Sequence, residues 1–385
     1  MTNAHHHVLF LNAWGDSRGG AQRSVRSWMD VLLARGHRVT VACPEGAWAD
    51  DARRAGCRVE WLPHDPWALA ALEQASPPNL LRLLAILRRV RPDLIHTVQY
   101  GSHLLARVAG AITGIPWVHT VLGPLSPGHR FAGGPYLAVS PAFERDARRA
   151  GAEDVRPCPA RLDLTAFMPS PGPRESLVPT ITFASRLDGR LEAVATLVCE
   201  ALRPLAGAGV RCQIAGDGDA LPRLRERYGR DLDFLGHRPG LAAVLWESDV
   251  LIGAGRTLIE GLACGVPCIS VGQRGTGGIV SPETADAIAE HNWGGRHVPA
   301  LQRPDASDLT RDIEELVNDS SRRAALAAWG PDVARRYDAR LAGPVLEAAY
   351  ERACERPPSA TQTAWLLARL TGDKVRRSAR RRLRG

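Results

Sequence analysis

The stretch Trp246–Ile269, WESDVLIGAGRTLIEGLACGVPCI, decides the reading of the chain. Val250, Leu251 and Ile252 form a short apolar, partly β-branched run, as in a strand buried on both faces of a parallel sheet. Gly253-Ala254-Gly255 breaks that run. Arg256-Thr257 then opens a helix whose Leu258, Ile259, Leu262 and Ala263 face a core, and Gly265-Val266-Pro267 ends it ahead of a second apolar run, Cys268 to Val271. Strand, glycine turn, helix and strand make the repeating unit of a doubly wound sheet. Glu260 is the odd member, a carboxylate early in an apolar helix, beside a glycine turn at the carboxyl end of a strand, where open α/β sheets bind ligands. It reads either as a solvated helix glutamate or as an acceptor for a ligand's paired hydroxyls. The simplest such ligand is a nucleotide, held by its ribose there and by its anionic groups at the helix N-terminal amides.

Around this stretch, 385 residues are enough for two domains, each with its own core. Hydrophobic content of 45% and charged content of 23% are those of a soluble globular protein, and no run approaches the roughly 20 apolar residues of a membrane span. The start of the chain lacks a signal peptide's apolar region. His5-His6-His7 reads as a tag remnant or a natural strand start and is a poor metal signal. The eight cysteines include no C-x-x-C pair and read as small core residues in a reducing cytoplasm. Net charge is +8, but seven cations lie between Lys374 and Arg384, so the folded body is near neutral and no nucleic-acid partner is expected.

The chain opens in the same β-loop-α-β pattern: a strand Val8 to Ala13, a loop ending at Gly19-Gly20, a helix to about Arg35, and a strand Arg38 to Cys43. The loop lacks G-x-G-x-x-G spacing, which disfavours a dinucleotide fold of the NAD type. Further strands are expected at Arg58–Leu62, Arg91–His96, Gly114–Pro124, Tyr136–Ser140, Thr180–Ala184 and Val210–Ala215.

The opening stretch resembles the donor-binding segment of nucleotide-sugar glycosyltransferases of the GT-B fold, above all the retaining family four (group 1 glycosyltransferases). The family pattern E-A-M-A-x-G-x-P-V-I meets Glu260 through Ile269 here. GGAQRSV from Gly19 and LLARGHRVTV from Leu32 resemble its opening words, and the likeness runs over about residues 8 to 350. It implies an α/β protein with two Rossmann-like, doubly wound domains facing a central cleft. The expected organisation is an acceptor-side domain over 1–168, a linker over 169–178, a nucleotide-sugar-binding domain over 179–340, a terminal helix crossing back over 341–358 and a basic tail over 359–385.

For the site, the resemblance implies that Arg186 and Arg190 hold the donor diphosphate, as two cations at a strand's carboxyl end can. Glu260 would hold the ribose, with Gly255, Arg256 and Thr257 at the helix start. Gly216-Asp217-Gly218 is the family's G-D-G turn, where Asp217 either touches ligand or caps the next helix. His237 and Arg238 follow F-L-G, whose backbone lines the nucleobase pocket in relatives. Gly19 and Gly20 form the lip of the cleft, and Gly275-Thr276-Gly277-Gly278 is a second glycine turn facing it.

Departures from the family pattern bear on mechanism. Leu122 stands where the family has a catalytic histidine, and His119, three residues earlier, is the candidate cleft residue in its place. Ile252 replaces the first glutamate of E-x7-E, and Arg190 falls one residue short of the family's lysine. The turn before Glu260 also looks like that of an inverting cell-wall transferase of the same fold. The remaining motifs favour retention. The expected activity is metal-independent, cofactor-free transfer of a sugar from a nucleotide-diphosphate donor to an unidentified acceptor, lipid-linked or a small natural product; the alternative is a degenerate protein that binds a nucleotide sugar or partner enzyme. Leu366, Leu367 and Leu370 form an apolar stripe, edged by Trp365 and followed by the seven cations. This predicts peripheral contact with an anionic membrane, at the inner face of the cytoplasmic membrane.

Overall fold

The structure, a computed structural model, describes residues 5–15, 19–63, 76–126, 128–159, 161–172, 178–273, 275–294, 306–356 and 358–382, with side chains as far as 371. Part of the expected linker and the side chains of the cationic tail thus lie outside the described residues. Residues 1–159 with 340–385 form one compact unit and residues 160–339 a second. The division precedes the expected linker, because Arg161 and Leu162 donate their amides to Tyr337 O (both 2.8 Å) and so join the second unit.

The first unit is built on seven parallel strands: β1 (His7–Leu11), β2 (Arg38–Cys43), β3 (Arg58–Trp61), β4 (Leu94–Thr97), β5 (Trp117–Val121), β6 (Tyr136–Ala138) and β7 (Val155–Pro157). Their order is β3-β2-β1-β4-β5-β6-β7, so the winding reverses between β1 and β4. Helices α1 (Gly20–Ala34), α2 (Ala47–Arg54), α3 (Pro77–Val90), α4 (Tyr100–Thr113) and α5 (Pro141–Arg149) supply the crossovers. Every residue of β1 is buried, as helices on both faces of a parallel sheet require.

The second unit repeats the plan with β8 (Thr180–Ala184), β9 (Arg211–Ala215), β10 (Asp233–Gly236), β11 (Val250–Gly253), β12 (Cys268–Gly272) and β13 (Gly275–Ile279) in the order β10-β9-β8-β11-β12-β13. Its helices are α6 (Glu192–Gly207), α7 (Leu221–Tyr228), α8 (Leu241–Trp246), α9 (Arg256–Ala263), α10 (Ala285–Glu290), α11 (Ala306–Asn318) and α12 (Ser320–Ala334). Along β11, Val250 and Ile252 bury in one cluster and Leu251 in the other, because successive side chains leave a strand on opposite faces. One expectation fails here. Gly275–Gly278 is an edge strand antiparallel to β12, not a turn, and a Cβ on Gly277 would lie 2.8 Å from Ile288 Cγ1 and 2.9 Å from Ser270 Cβ. Glycine is needed there so that α10 can pack on the strand.

The end of the chain returns to the first unit. Helix α13 (Ala342–Glu355) is fixed by Glu347, which accepts from Arg35 Nε and Nη2 (both 2.7 Å) and pairs with His37 Nε2 at 2.9 Å. Helix α14 (Ala360–Arg382) packs against α4 with Leu366 and Leu370 buried. Those two leucines of the expected membrane stripe are therefore core residues; α4 satisfies the apolar face and leaves Trp365 half-exposed with Arg369 over its ring. Among the described residues, no helix is long and apolar enough to cross a membrane.

Candidate nucleotide site

The switch point of the second unit lies between β8 and β11, and ligands of open α/β sheets bind outside the carboxyl ends of the strands at such a point. Both strands end there in candidate motifs. Pairing of Ile252 with Phe183 brings the end of β11 beside that of β8, and a Cβ on Gly253 would come within 3.3 Å of Ala184 O.

After β8 the chain turns through Ser185–Arg190. Arg186 is exposed, and its Nη1 pairs with Asp188 Oδ2 at 2.9 Å, while Asp188 Oδ1 accepts from Arg190 N at 3.2 Å. Asp188 thus holds both expected diphosphate ligands in one loop. Gln273 Nε2 steadies that loop by donating to Arg190 O at 2.9 Å.

The G-D-G turn is the floor under this loop. Ser185 N donates to Ala215 O (3.1 Å), Leu187 N to Asp217 O (2.9 Å) and Ala220 N to Leu187 O (2.8 Å). A Cβ on Gly216 would stand 1.8 Å from Ser185 O, and one on Gly218 2.4 Å from Leu187 O, so only glycine permits the approach. The side chain of Asp217 accepts from Gly218 N at 2.8 Å, and α7 has no side-chain cap, so Asp217 shapes the turn rather than capping the helix. Asp219, absent from the expected set, accepts from Gly189 N at 2.8 Å.

After β11, Gly255 takes φ +65° as the residue before α9, and its amide donates to Trp293 O. Arg256 and Glu260 lie one helical turn apart. Arg256 Nε donates to Glu260 Oε1 at 2.8 Å, with side-chain exposures of 7% and 0%, and the same guanidinium reaches Arg161 O. Glu260 is therefore interior and ion-paired, and Arg256 ties the start of α9 to the chain at Arg161. Thr257 is half-buried, its Cγ2 against Gly253. His237 and Arg238 are exposed in the loop after β10, whose Gly236 O accepts from Gly216 N at 2.9 Å. The structure thus gathers Arg186, Arg190 and the G-D-G turn into one supported loop, and sets Gly255, Arg256 and Thr257 on the next strand's helix.

At the switch point of the first unit, β1 and β4 end in two amides that sequence reasoning missed. Gln99 Nε2 donates to Asn12 Oδ1 at 2.6 Å, and Gln99 Oε1 accepts from Ala13 N at 3.2 Å. A polar residue directly after a buried strand was the available signal. Gly20 is the first residue of α1 and Gly19, in an extended conformation, precedes it. His119 does not reach the carboxyl end of its strand. It is 2% exposed inside β5, its Nδ1 on Thr97 Oγ1 at 2.9 Å and its ring 4.5 Å from that of His103; burial first, then His96 and His129, pushes its pKa down to about 3. The structure thus places His119, expected in the cleft, among the buried side chains of the first unit. Leu122, at the family's histidine position, follows the end of β5 and is half-buried.

Residues 18–154 match the family model described as Glycosyltransferase Family 4, and residues 178–319 the one described as Glycosyl transferases group 1. No curated protein matches the chain. Among solved structures, HepE of Anabaena in complex with UDP and glucose is 19% identical and superposes with a TM-score of 0.70 over 90% of this chain and 100% of that one. A glycosyltransferase of Rickettsia africae is 16% identical with a TM-score of 0.67, covering 91% and 98% of the two chains. Sucrose-phosphate synthase of Thermosynechococcus elongatus is 18% identical with a TM-score of 0.66, covering 90% and 99%.

Proposed function

Because the chain belongs to the group 1 glycosyltransferases of the GT-B fold and is a glycosyltransferase enzyme, we propose that it takes its sugar from a nucleoside-diphosphate donor held at the β8–β11 switch point. One observation carries this reading: the loop that bears Arg186 and Arg190 rests on a glycine floor at the carboxyl end of β8, beside β11, the end of the sheet at which open α/β folds take their ligands. As the bond to the sugar breaks, negative charge grows on the leaving diphosphate. Guanidinium forks suit its oxygens, and Arg186 would exchange Asp188 for the diphosphate.

Metal independence follows as part of the proposal, because arginines supply the positive charge. Retention of anomeric configuration is proposed on the weight of the family motifs, and NMR of the product anomer tests it. For Glu260 the resemblance assigns contact with the donor ribose, beside the hydrogen bond that its Oε1 accepts from Arg256 Nε. Complete burial and the ion pair favour a second role, in which Glu260 positions Arg256 and the first turn of α9.

Incubation with a panel of nucleotide sugars, UDP-glucose included because HepE was solved with UDP and glucose, tests the function. Acceptor-dependent release of nucleoside diphosphate is the expected result; no release with any donor across lipid-linked and small natural-product acceptors would reject it. We further propose a cytoplasmic protein, supported by eight cysteines that are all thiols, seven of them buried, and peripheral contact with anionic membrane through the cationic tail. Because Leu366 and Leu370 are core residues, the tail is best tested by charge. Replacing Arg380, Arg381 and Arg382 by glutamine should lower sedimentation with anionic vesicles, and unchanged pelleting would exclude the tail as an anchor.

A further inference from the structure

A cavity of about 260 Å³ opens in the first unit at the amino ends of β5, β6 and β7, the end of the sheet opposite its switch-point loops. Arg107 of α4 forms one wall, and Ser359 and Gln362 at the start of α14 form another. Arg107 is 1% exposed. Its Nη1 donates to Ala132 O at 2.7 Å and its guanidinium lies 4.8 Å from the Trp117 ring centroid, but its Nε has no hydrogen-bond partner. Among the described residues it has no carboxylate at ion-pairing distance, and burial lowers its pKa. A buried cation is costly unless an anion compensates it.

The facing wall has the same polarity. Helix α14 is 23 residues long, and its N-terminus carries partial positive charge and unsatisfied amides. Ser359 Oγ accepts from Gln362 N at 3.1 Å and so caps one amide of the first turn. Arg356 adds a second guanidinium, shared with Asp154 at 3.7 Å. Gly133, at φ +64°, closes the wall under Gln362, because a Cβ there would lie 2.7 Å from Gln362 Oε1. Among the described residues that line the cavity, Glu153 is the one carboxylate, against two guanidinium groups and a helix N-terminus.

We propose that this cavity binds a small anion of the phosphate class, with Arg107 and the first turn of α14 as its ligands. The site is separate from the donor site and does not depend on the transfer reading. It would couple anion binding to the docking of α14 on α4, since both walls would contact the same ligand.

The test uses inorganic phosphate with the full chain, in an Arg186→Gln background that blunts the donor site. Titration calorimetry and melting temperature are read together. The expected result is binding in that background with a rise in melting temperature, and a dissociation constant raised at least about tenfold by Gln362→Glu, which sets a like charge at the mouth. Arg107→Gln should do the same. Because Arg107 is buried and its variant could fail to fold, the exposed Gln362 variant decides. No binding at about 50 mM phosphate, or binding unaffected by Gln362→Glu, would overturn the proposal.

Discussion

Replacing Glu260 by alanine strands a guanidinium in the interior. Arg256 and Glu260 have side-chain exposures of 7% and 0% and meet at 2.8 Å, so the pair is desolvated. Removing one partner of such a pair costs about 3–5 kcal/mol, whereas replacing both by apolar residues of similar volume is close to neutral. The second unit spans residues 160–339, a size at which each kcal/mol shifts Tm by about 2–4 °C. Glu260→Ala should therefore lower the melting of that unit by roughly 6–20 °C, and Arg256→Met with Glu260→Leu should recover most of the loss. Scanning calorimetry of the full-length wild type, both single variants and the double variant closes the cycle. A drop below about 1 kcal/mol for Glu260→Ala, or a double variant as unstable as the single, would refute the reasoning. A nucleoside diphosphate lacking the ribose hydroxyls separates the two roles of Glu260. If Glu260 accepts from the ribose, wild type discriminates against that analogue and the double variant does not.

Three further outcomes are expected. Gly216→Ala has no room for its methyl, 1.8 Å from Ser185 O, so the Arg186 loop must shift; nucleoside-diphosphate affinity should fall about tenfold with no change of charge, as titration calorimetry would show. His96 and His119 have pKa values lowered to about 3, and that of His103 lies well below 6.5, in each case chiefly by burial. Their folded values lie below the unfolded one, so their stability contribution is complete above about pH 6.5 and is lost as pH falls toward 3. Melting at pH 7.5 and 5.5 should differ by on the order of 3 kcal/mol for the first unit. Glu347 is held at about 2, first by its hydrogen bond from Arg35, so its contribution is present above about pH 4.5 and disappears as pH falls through 2. Glu347→Gln should cost about 1 kcal/mol after allowance for the exposure of Arg35, and speed amide exchange in α13.

Much of the fold was legible because parallel strands announce themselves as short apolar runs stopped by glycine, as Val250–Gly253 and Thr180–Ala184 do. β13 was not, since GTGGI has almost no strand propensity and owes its state to pairing with β12 and to the space that α10 needs. The positions of Arg186 and the G-D-G turn were readable, but not their relation. That the two glycines exist to let the turn support the arginine loop depends on contact between strands far apart in sequence. Glu260 and Arg256 stand at the spacing of a helical ion pair, so the partner was visible; its burial is tertiary and was not. The same limit applies to His119, whose strand position was clear but whose depth was set by α4 and β6, and to Leu366 and Leu370, whose stripe gave no sign of the partner that covers it.

The affinity of Arg186→Gln for a nucleoside diphosphate, measured beside the monophosphate of the same base, tests the central claim most directly. A charged hydrogen bond to the second phosphate is worth about 1.5–3 kcal/mol, so the variant should bind the diphosphate roughly 10- to 150-fold more weakly and the monophosphate within about threefold of wild type. A variant that binds the diphosphate as tightly as wild type would contradict the account.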